Sequence, residues 1–205
     1  MLPVMLNLAG RVVIVVGGGA VGRRKAAAAR EAGAVVRVID PKLAGAEEPG
    51  VEWVADVYRA THLVGAGLVF ACGPPDVNAQ VVADATARGI WVNSATSPSE
   101  GDFVLPAAAR RGGITLAVST GGASPALARR IRDKLEAEID PALVEWVALL
   151  DELRPAVLAT IPDPRARHAL LDALADWSWL VRIQSEGFDA VRTAMREEID
   201  HARRP

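Results

Sequence analysis

The sequence predicts an α/β protein: an N-terminal parallel sheet covered by helices, then a small α+β region, then a C-terminal helical region. Three observations predict it. Short β-branched runs alternate with helical stretches through the first hundred residues. After Ser94 two strand-like runs flank a Gly112-Gly113 pair. From Ser124 onward, helix starts recur as Ser or Asp directly before Pro.

The strand candidates are residues 12–16, 35–39, 51–54, 68–72 and 90–93, with the clearest helices at 20–32 and 76–88. These strands are apolar on both faces, as in a parallel sheet with helices on each side. Residues 103–107 and 114–118 read as a hairpin joined by Arg110-Arg111-Gly112-Gly113. Ser124-Pro125, Asp140-Pro141 and Asp163-Pro164 each supply an N-cap and a proline at the first helical position. The expected regions are 1–112, 113–140 (with a hairpin strand from 103) and 141–205.

Composition removes several function classes. The chain of 205 residues is 51% hydrophobic and 23% charged, with a mean hydropathy of +0.21. That is ample apolar surface for a core, which excludes intrinsic disorder. With 23 basic and 25 acidic residues the net charge is −2, too little positive field for nonspecific nucleic-acid binding. The single cysteine, Cys72, cannot form an intrachain disulfide and suits a reducing cytoplasm. The apolar stretch 12–22 is flanked by Arg11 and Arg23 and contains four glycines. It falls far short of the roughly 20 residues of a membrane span. No Lys or Arg precedes Arg11, so the N-terminus lacks the charged start of a secretory signal. A cytoplasmic protein with no membrane and no nucleic-acid partner is expected.

The strongest motif lies at the end of the first strand. Gly17, Gly19 and Gly22 fit G-x-G-x-x-G between a buried strand and a helix that begins at Ala20-Val21. In a Rossmann-type sheet the first glycine makes the tight turn. The second admits a pyrophosphate to the backbone amides, and the third lets helix and strand pack closely. Asp40, 18 residues beyond Gly22 and followed by Pro41, ends the second strand. A carboxylate there accepts hydrogen bonds from ribose hydroxyls and repels a 2′-phosphate, favouring NAD. Lys42 points the other way, since it can attract a phosphate. The bland alternative is that Asp40 caps a turn with Pro41 and the glycines only shape the chain.

Several segments carry a family resemblance. They are the turn with its basic tail, Gly17 to Ala26; the strand end Ala71-Cys72-Gly73-Pro-Pro-Asp-Val-Asn78; Val92-Asn93 leading to Phe103-Val-Leu-Pro106-Ala107; and Thr120-Gly121-Gly122-Ala-Ser124-Pro125-Ala-Leu-Ala-Arg129. On these the chain from 8 to 140 resembles the precorrin-2 dehydrogenase / sirohydrochlorin ferrochelatase family, the N-terminal half of siroheme synthases. The resemblance implies a homodimer with a Rossmann domain, a dimerisation region and a helical C-terminal region. It implies oxidation of precorrin-2 to sirohydrochlorin with NAD, and in many members Fe²⁺ insertion into that tetrapyrrole. It adds Cys72, Gly73, Asn78 and Asn93 to Gly17, Gly19, Ala20, Val21, Gly22, Asp40 and Pro41 as cofactor-binding residues. Thr120, Gly121, Gly122, Ser124 and Arg129 are implied for the substrate, whose carboxylates suit a helix N-terminus and arginines such as Arg110, Arg111 and Arg130. The plain alternatives are an i,i+4 pair of Arg129 with Asp133 and a charged hairpin tip.

One departure matters. The family commonly has an Asp two residues before Pro98, serving as general base or acid, and here Thr96 stands in its place. A hydroxyl cannot accept a proton near neutral pH, so that role is lost or moved. Asp102, and next to it Glu100, are the carboxylates that a bent loop can bring back; solvated loop charges are the alternative. His62, His168 and His201 show no metal-ligand spacing with Cys72, and Trp146, Trp177 and Trp179 read as core or interface anchors. The competing function is a non-enzymatic NAD(H)-sensing module.

Overall fold

The computed structural model describes residues 1–42 and 48–203, so the last two residues of the expected 141–205 region lie outside it. The described chain divides into two compact units, Met1–Leu105 and Pro106–Pro205. The two hairpin strands pair with each other and lie together in the second unit.

The first unit runs β1 (Val12–Val16), α1 (Ala20–Glu31), β2 (Val35–Ile39), β3 (Val51–Val54), β4 (Ala66–Ala71), α2 (Pro75–Thr86) and β5 (Trp91–Ser94). The first three strands match the sequence expectation, and β4 and β5 differ from it by one or two residues at their ends. All five strands are parallel, in the order β3-β2-β1-β4-β5. The chain moves outward from β1 to β3, then returns to place β4 on the other side of β1. That reversal opens a crevice at the carboxyl ends of β1 and β4, where ligands bind in such sheets.

Two apolar layers sandwich the sheet because alternate strand residues face opposite sides. Val13, Val15, Val36, Val38 and Phe70 pack with Ala26 and Ala29 of α1. Ile14, Val16, Ile39, Val69 and Val92 pack with Val81 and Ala85 of α2. Small residues on the inner faces of both helices let them lie close to the strands.

The second unit begins with β6 (Ala107–Arg111) and β7 (Ile114–Val118), an antiparallel pair. The first hairpin strand thus lies at 107–111 rather than 103–107, and Arg110 and Arg111 belong to the ladder instead of the turn. Phe103 has other partners: its ring meets Phe70 edge-on at 5.6 Å and its carbonyl accepts from Asn93. Pro106, lacking an N–H, cannot extend the ladder backward. Gly112-Gly113 makes the turn, with Gly112 at φ +54°.

Helices follow: α3 (Pro125–Ala137), α4 (Pro141–Thr160), α5 (Pro164–Leu174), α6 (Ser178–Glu186) and α7 (Phe188–Ala202). The three Pro-led starts are realised, with Ser124, Asp140 and Asp163 each accepting a backbone N–H in the first turn. Trp146, Leu149, Leu153, Val157, Leu174, Trp179, Ile183, Val191 and Met195 form one core across α4–α7. Among the described residues no helix is long and apolar enough to cross a membrane.

Candidate functional site

The glycine turn is built as its spacing requires. Gly17 sits at φ +105°, and a Cβ there would lie 2.5 Å from the Cys72 carbonyl carbon and oxygen. Only glycine lets β1 turn so close to the end of β4. A Cβ on Gly22 would lie 1.8 Å from the Gly17 carbonyl oxygen, so the third glycine sets the approach of α1. Gly19 differs: a Cβ there meets nothing within 4 Å. Gly19 caps the N-terminus of α1, ahead of Ala20 and Val21, and the open space over it faces the end of the helix that favours a phosphate. These residues fit a dinucleotide.

Asp40 closes the far side of the turn. Its Oδ2 accepts from the Gly18 N–H at 2.6 Å and its Oδ1 from the Lys42 N–H at 2.7 Å. Each carboxylate oxygen retains a lone pair for a ribose hydroxyl. Pro41 is exposed beside it. Gly18 itself is crowded, since a Cβ would lie 3.3 Å from both Asp40 and Trp53. The Arg23 guanidinium lies 4.6 Å from the centre of the Trp53 ring and its Nε donates to the Gly18 carbonyl at 2.9 Å. The sequence offered no sign of this Trp53–Arg23 wall, because Trp53 reaches the turn only through strand order.

At the other side of the switch point stands Asn78, 1% exposed. Its amide closes a loop on Gly73, accepting from the Gly73 N–H at 2.8 Å and donating to the Gly73 carbonyl at 2.9 Å. Its Nδ2 also donates to Thr96 Oγ1 at 3.1 Å. Thr96 is exposed, with Ser94 Oγ 3.4 Å away. Thr96 Oγ1 accepts from Asn78, and either hydroxyl of the Thr96–Ser94 pair can donate to the other.

Two expected residues serve differently. The Asp102 carboxylate accepts from the Val92 N–H at 2.8 Å, and the Asp102 N–H donates to the Val92 carbonyl at 2.8 Å. This residue completes the open edge of β5 and is not brought to Thr96. Asn93 is buried, and both ends of its amide have protein partners: Lys25 donates to Oδ1, and Nδ2 donates to the Phe103 carbonyl at 2.8 Å. Through these bonds it braces the base of the loop that carries Thr96. Glu100 is exposed on a short 3-10 turn.

Lys25 is the buried residue at the site that sequence reasoning did not single out. It is 9% exposed, lies 5.2 Å from the Phe70 ring centre, and donates to Asn93 Oδ1. Burial pushes its ammonium below the ordinary lysine value and pushes the Cys72 thiol up, each partly offset by the other. The signal was available: Gly22, Lys25, Ala26 and Ala29 share the buried face of α1.

In the second unit, Thr120 Oγ1 bonds both backbone groups of Ser124 at 3.0 Å. Gly121 and Gly122 take φ +64° and +92° with open space around them. Asp133 pairs with Arg132, not Arg129, and Arg111 pairs with Glu136 at 3.1 Å. His62 is held by the Arg59 N–H at 3.1 Å and by Asp56, and His168 faces Asp172. Trp146 and Trp179 are core, and Trp177 lies edge-on to Trp146 at 5.7 Å.

Comparison with known proteins agrees with this geometry. A family model described as putative NAD(P)-binding matches residues 4–107, and one described as sirohaem biosynthesis protein central matches residues 111–138. A siroheme synthase of Pseudomonas putida is 40% identical over 150 residues, 70% of this chain and 32% of that protein. One from Nitrosococcus oceani is 38% identical over 192 residues, 89% of this chain and 40% of that protein. The chain spans 32–40% of the length of these curated relatives. The solved structure of SirC, a precorrin-2 dehydrogenase, matches with a TM-score of 0.76 and 26% identity, covering 98% of this chain and 100% of that one. The chain belongs to the family described as putative NAD(P)-binding, followed by the central region of sirohaem biosynthesis proteins, the siroheme-synthase relationship that its motifs indicated.

Proposed function

We propose that this chain binds NAD⁺ at the Gly17–Gly22 turn and oxidises precorrin-2 to sirohydrochlorin in the cytoplasm. The observation that carries this is the placing of the glycine turn, Asp40 and the Asn78–Thr96 pair around one switch point. The nicotinamide supplies a hydride acceptor, so the protein's task is alignment. Backbone amides at Gly19–Val21 hold the diphosphate, Asp40 takes the ribose hydroxyls, and Asn78 fixes Gly73 and Thr96 at the rim. Asp40 favours NAD⁺ over NADP⁺ by repelling a 2′-phosphate.

The tetrapyrrole's carboxylates are taken by the Thr120–Gly122 turn ahead of the Ser124 helix start, where the Gly121 N–H already donates to Ser119 Oγ, and by Arg129. Arg129, Arg130 and Arg110 have no ion-pair partner among the described residues. Iron insertion is weak, because Thr96 cannot take the pyrrole protons and Asp102 is committed to Val92.

The working form is a homodimer. Among the described residues, both edges of the β6–β7 pair lack a further strand, which is a liability in a monomer. Leu127, Ile131 and Leu135 form an exposed apolar stripe on α3. Light scattering should give twice the 21.6 kDa of one chain. The test of function is incubation with enzymatically made precorrin-2 and either NAD⁺ or NADP⁺. NADH formation with NAD⁺ preferred is the expected result; tight NAD⁺ binding without turnover would mark a sensing module instead.

A further inference from the structure

The segment carrying Thr96 leaves β5 after Ser94 and returns at Phe103, and the Asn93 side chain ties its two ends. Asn93 Nδ2 donates to the Phe103 carbonyl at 2.8 Å, closing the loop across its base. The returning strand of the loop runs against the β5 edge. A Cβ on Gly101 would lie 2.8 Å from the Val92 carbonyl oxygen, and Asp102 bonds both backbone groups of Val92. Asn93 is therefore the clasp of the loop, and its amide orientation is set by what faces each end. Oδ1 faces Lys25 Nζ.

Lys25 sits one turn into α1, beyond the glycines that receive the diphosphate. Its stem lies under the sheet face, its nitrogen over Phe70, and Phe103 packs on the edge of the same ring. The Cys72 thiol is its electrostatic neighbour, and the Cys72 backbone packs against Gly17. A methionine would fill this place without the cost of desolvating an ammonium. Only a donor satisfies Asn93 Oδ1, and lysine donates whether protonated or neutral.

We propose that Lys25 is a positioning residue: by holding Asn93 it ties the helix of the dinucleotide turn to the loop that carries Thr96. The proposal rests on the reading that Thr96 lies at the reaction centre. It assigns Lys25 no contact with substrate. Movement of α1 on filling the glycine turn is passed through the Lys25–Asn93–Phe103 links to residues 94–103, while the five strands stay as they are.

Lys25→Met and Asn93→Asp test it together. Asn93→Asp keeps an acceptor for Lys25 and loses the donor to Phe103, so it opens the clasp without stranding the ammonium. In both variants, amide exchange of residues 94–103 should quicken at least about tenfold while the central strands keep their protection. Kd for NAD⁺ should stay within about twofold, and kcat for NADH formation should fall about 10- to 100-fold with KM for NAD⁺ little changed, as misplacement of a reacting group predicts. Unchanged exchange at 94–103 overturns the proposal. So does loss of protection across the whole sheet, which would mark a merely structural lysine. A wild type that forms no NADH from precorrin-2 sinks the functional reading instead, and the exchange comparison still decides whether Lys25 holds the loop.

Discussion

The two units of this chain bury different things. The sheet unit buries Lys25, Asn78, Asn93 and Ser94, all at or near the carboxyl ends of β4 and β5. Among the described residues, the helical unit buries no lysine, asparagine or serine; its interior is aliphatic and aromatic side chains with Met195. A buried polar group costs free energy unless it is bonded, so it persists only where several partners hold it at once. In the sheet unit those partners are the loops that form the crevice. The difference is a division of labour: one unit stores polar order around its crevice, and the other stores apolar contact.

The largest test of that division changes the rim itself. Thr96→Asp should raise Fe²⁺ or Co²⁺ insertion into sirohydrochlorin by about 10²–10⁴-fold, the usual worth of a positioned base. Asn78 Nδ2, already 3.1 Å from Thr96 Oγ1, stands ready to hold the new carboxylate. NADH formation should change far less; equal gains in both reactions would break the comparison.

Leu149→Ala should cost about 2–5 kcal/mol of stability in denaturant unfolding, because Leu149 is 1% exposed in the helical core. Kd for NAD⁺ should stay unchanged in calorimetry. Gly22→Ala should do the reverse. Its Cβ would strike the Gly17 carbonyl oxygen, so the turn must shift and NAD⁺ affinity should fall about 100-fold, roughly 2.7 kcal/mol. Asp40→Ala should move the NAD⁺ to NADP⁺ preference by about tenfold toward NADP⁺, and a wild type that already prefers NADP⁺ would remove its basis.

The smallest effect belongs to the helical surface. The Arg192 and Arg196 guanidiniums hold the Glu152 carboxyl below its ordinary value of 4.5. A lowered carboxyl value means the stabilisation is complete above 4.5 and fades as pH falls through the folded value. Glu152 is exposed, so solvent screens most of it. Glu152→Gln should therefore flatten the acid limb of the stability profile only slightly and leave turnover untouched.

Much of this was legible in local sequence. β1, β2, β3 and β7 run where their β-branched runs predicted, and the three Pro-led helices start at their caps. The glycine turn was legible for the same reason, since each glycine answers a demand made within a few residues. What was not legible involves partners far apart in the chain. Phe103 looked like the start of a strand, but Phe70 and Asn93 claim it. Asp102 looked like a spare base, but the unpaired edge of β5 claims its carboxylate.

The sequence by itself determined the parallel α/β sheet, the dinucleotide turn with Asp40, and the helical second half. Each follows from side-chain period, backbone freedom or capping, which act over one or two turns of chain. Tertiary structure alone decided that Lys25 is buried against Asn93, 68 residues away, and that Thr96 hangs from Asn78. Burial in a low-dielectric interior turns such distant polar pairs into fixed geometry, and only the order of the strands brings them within reach.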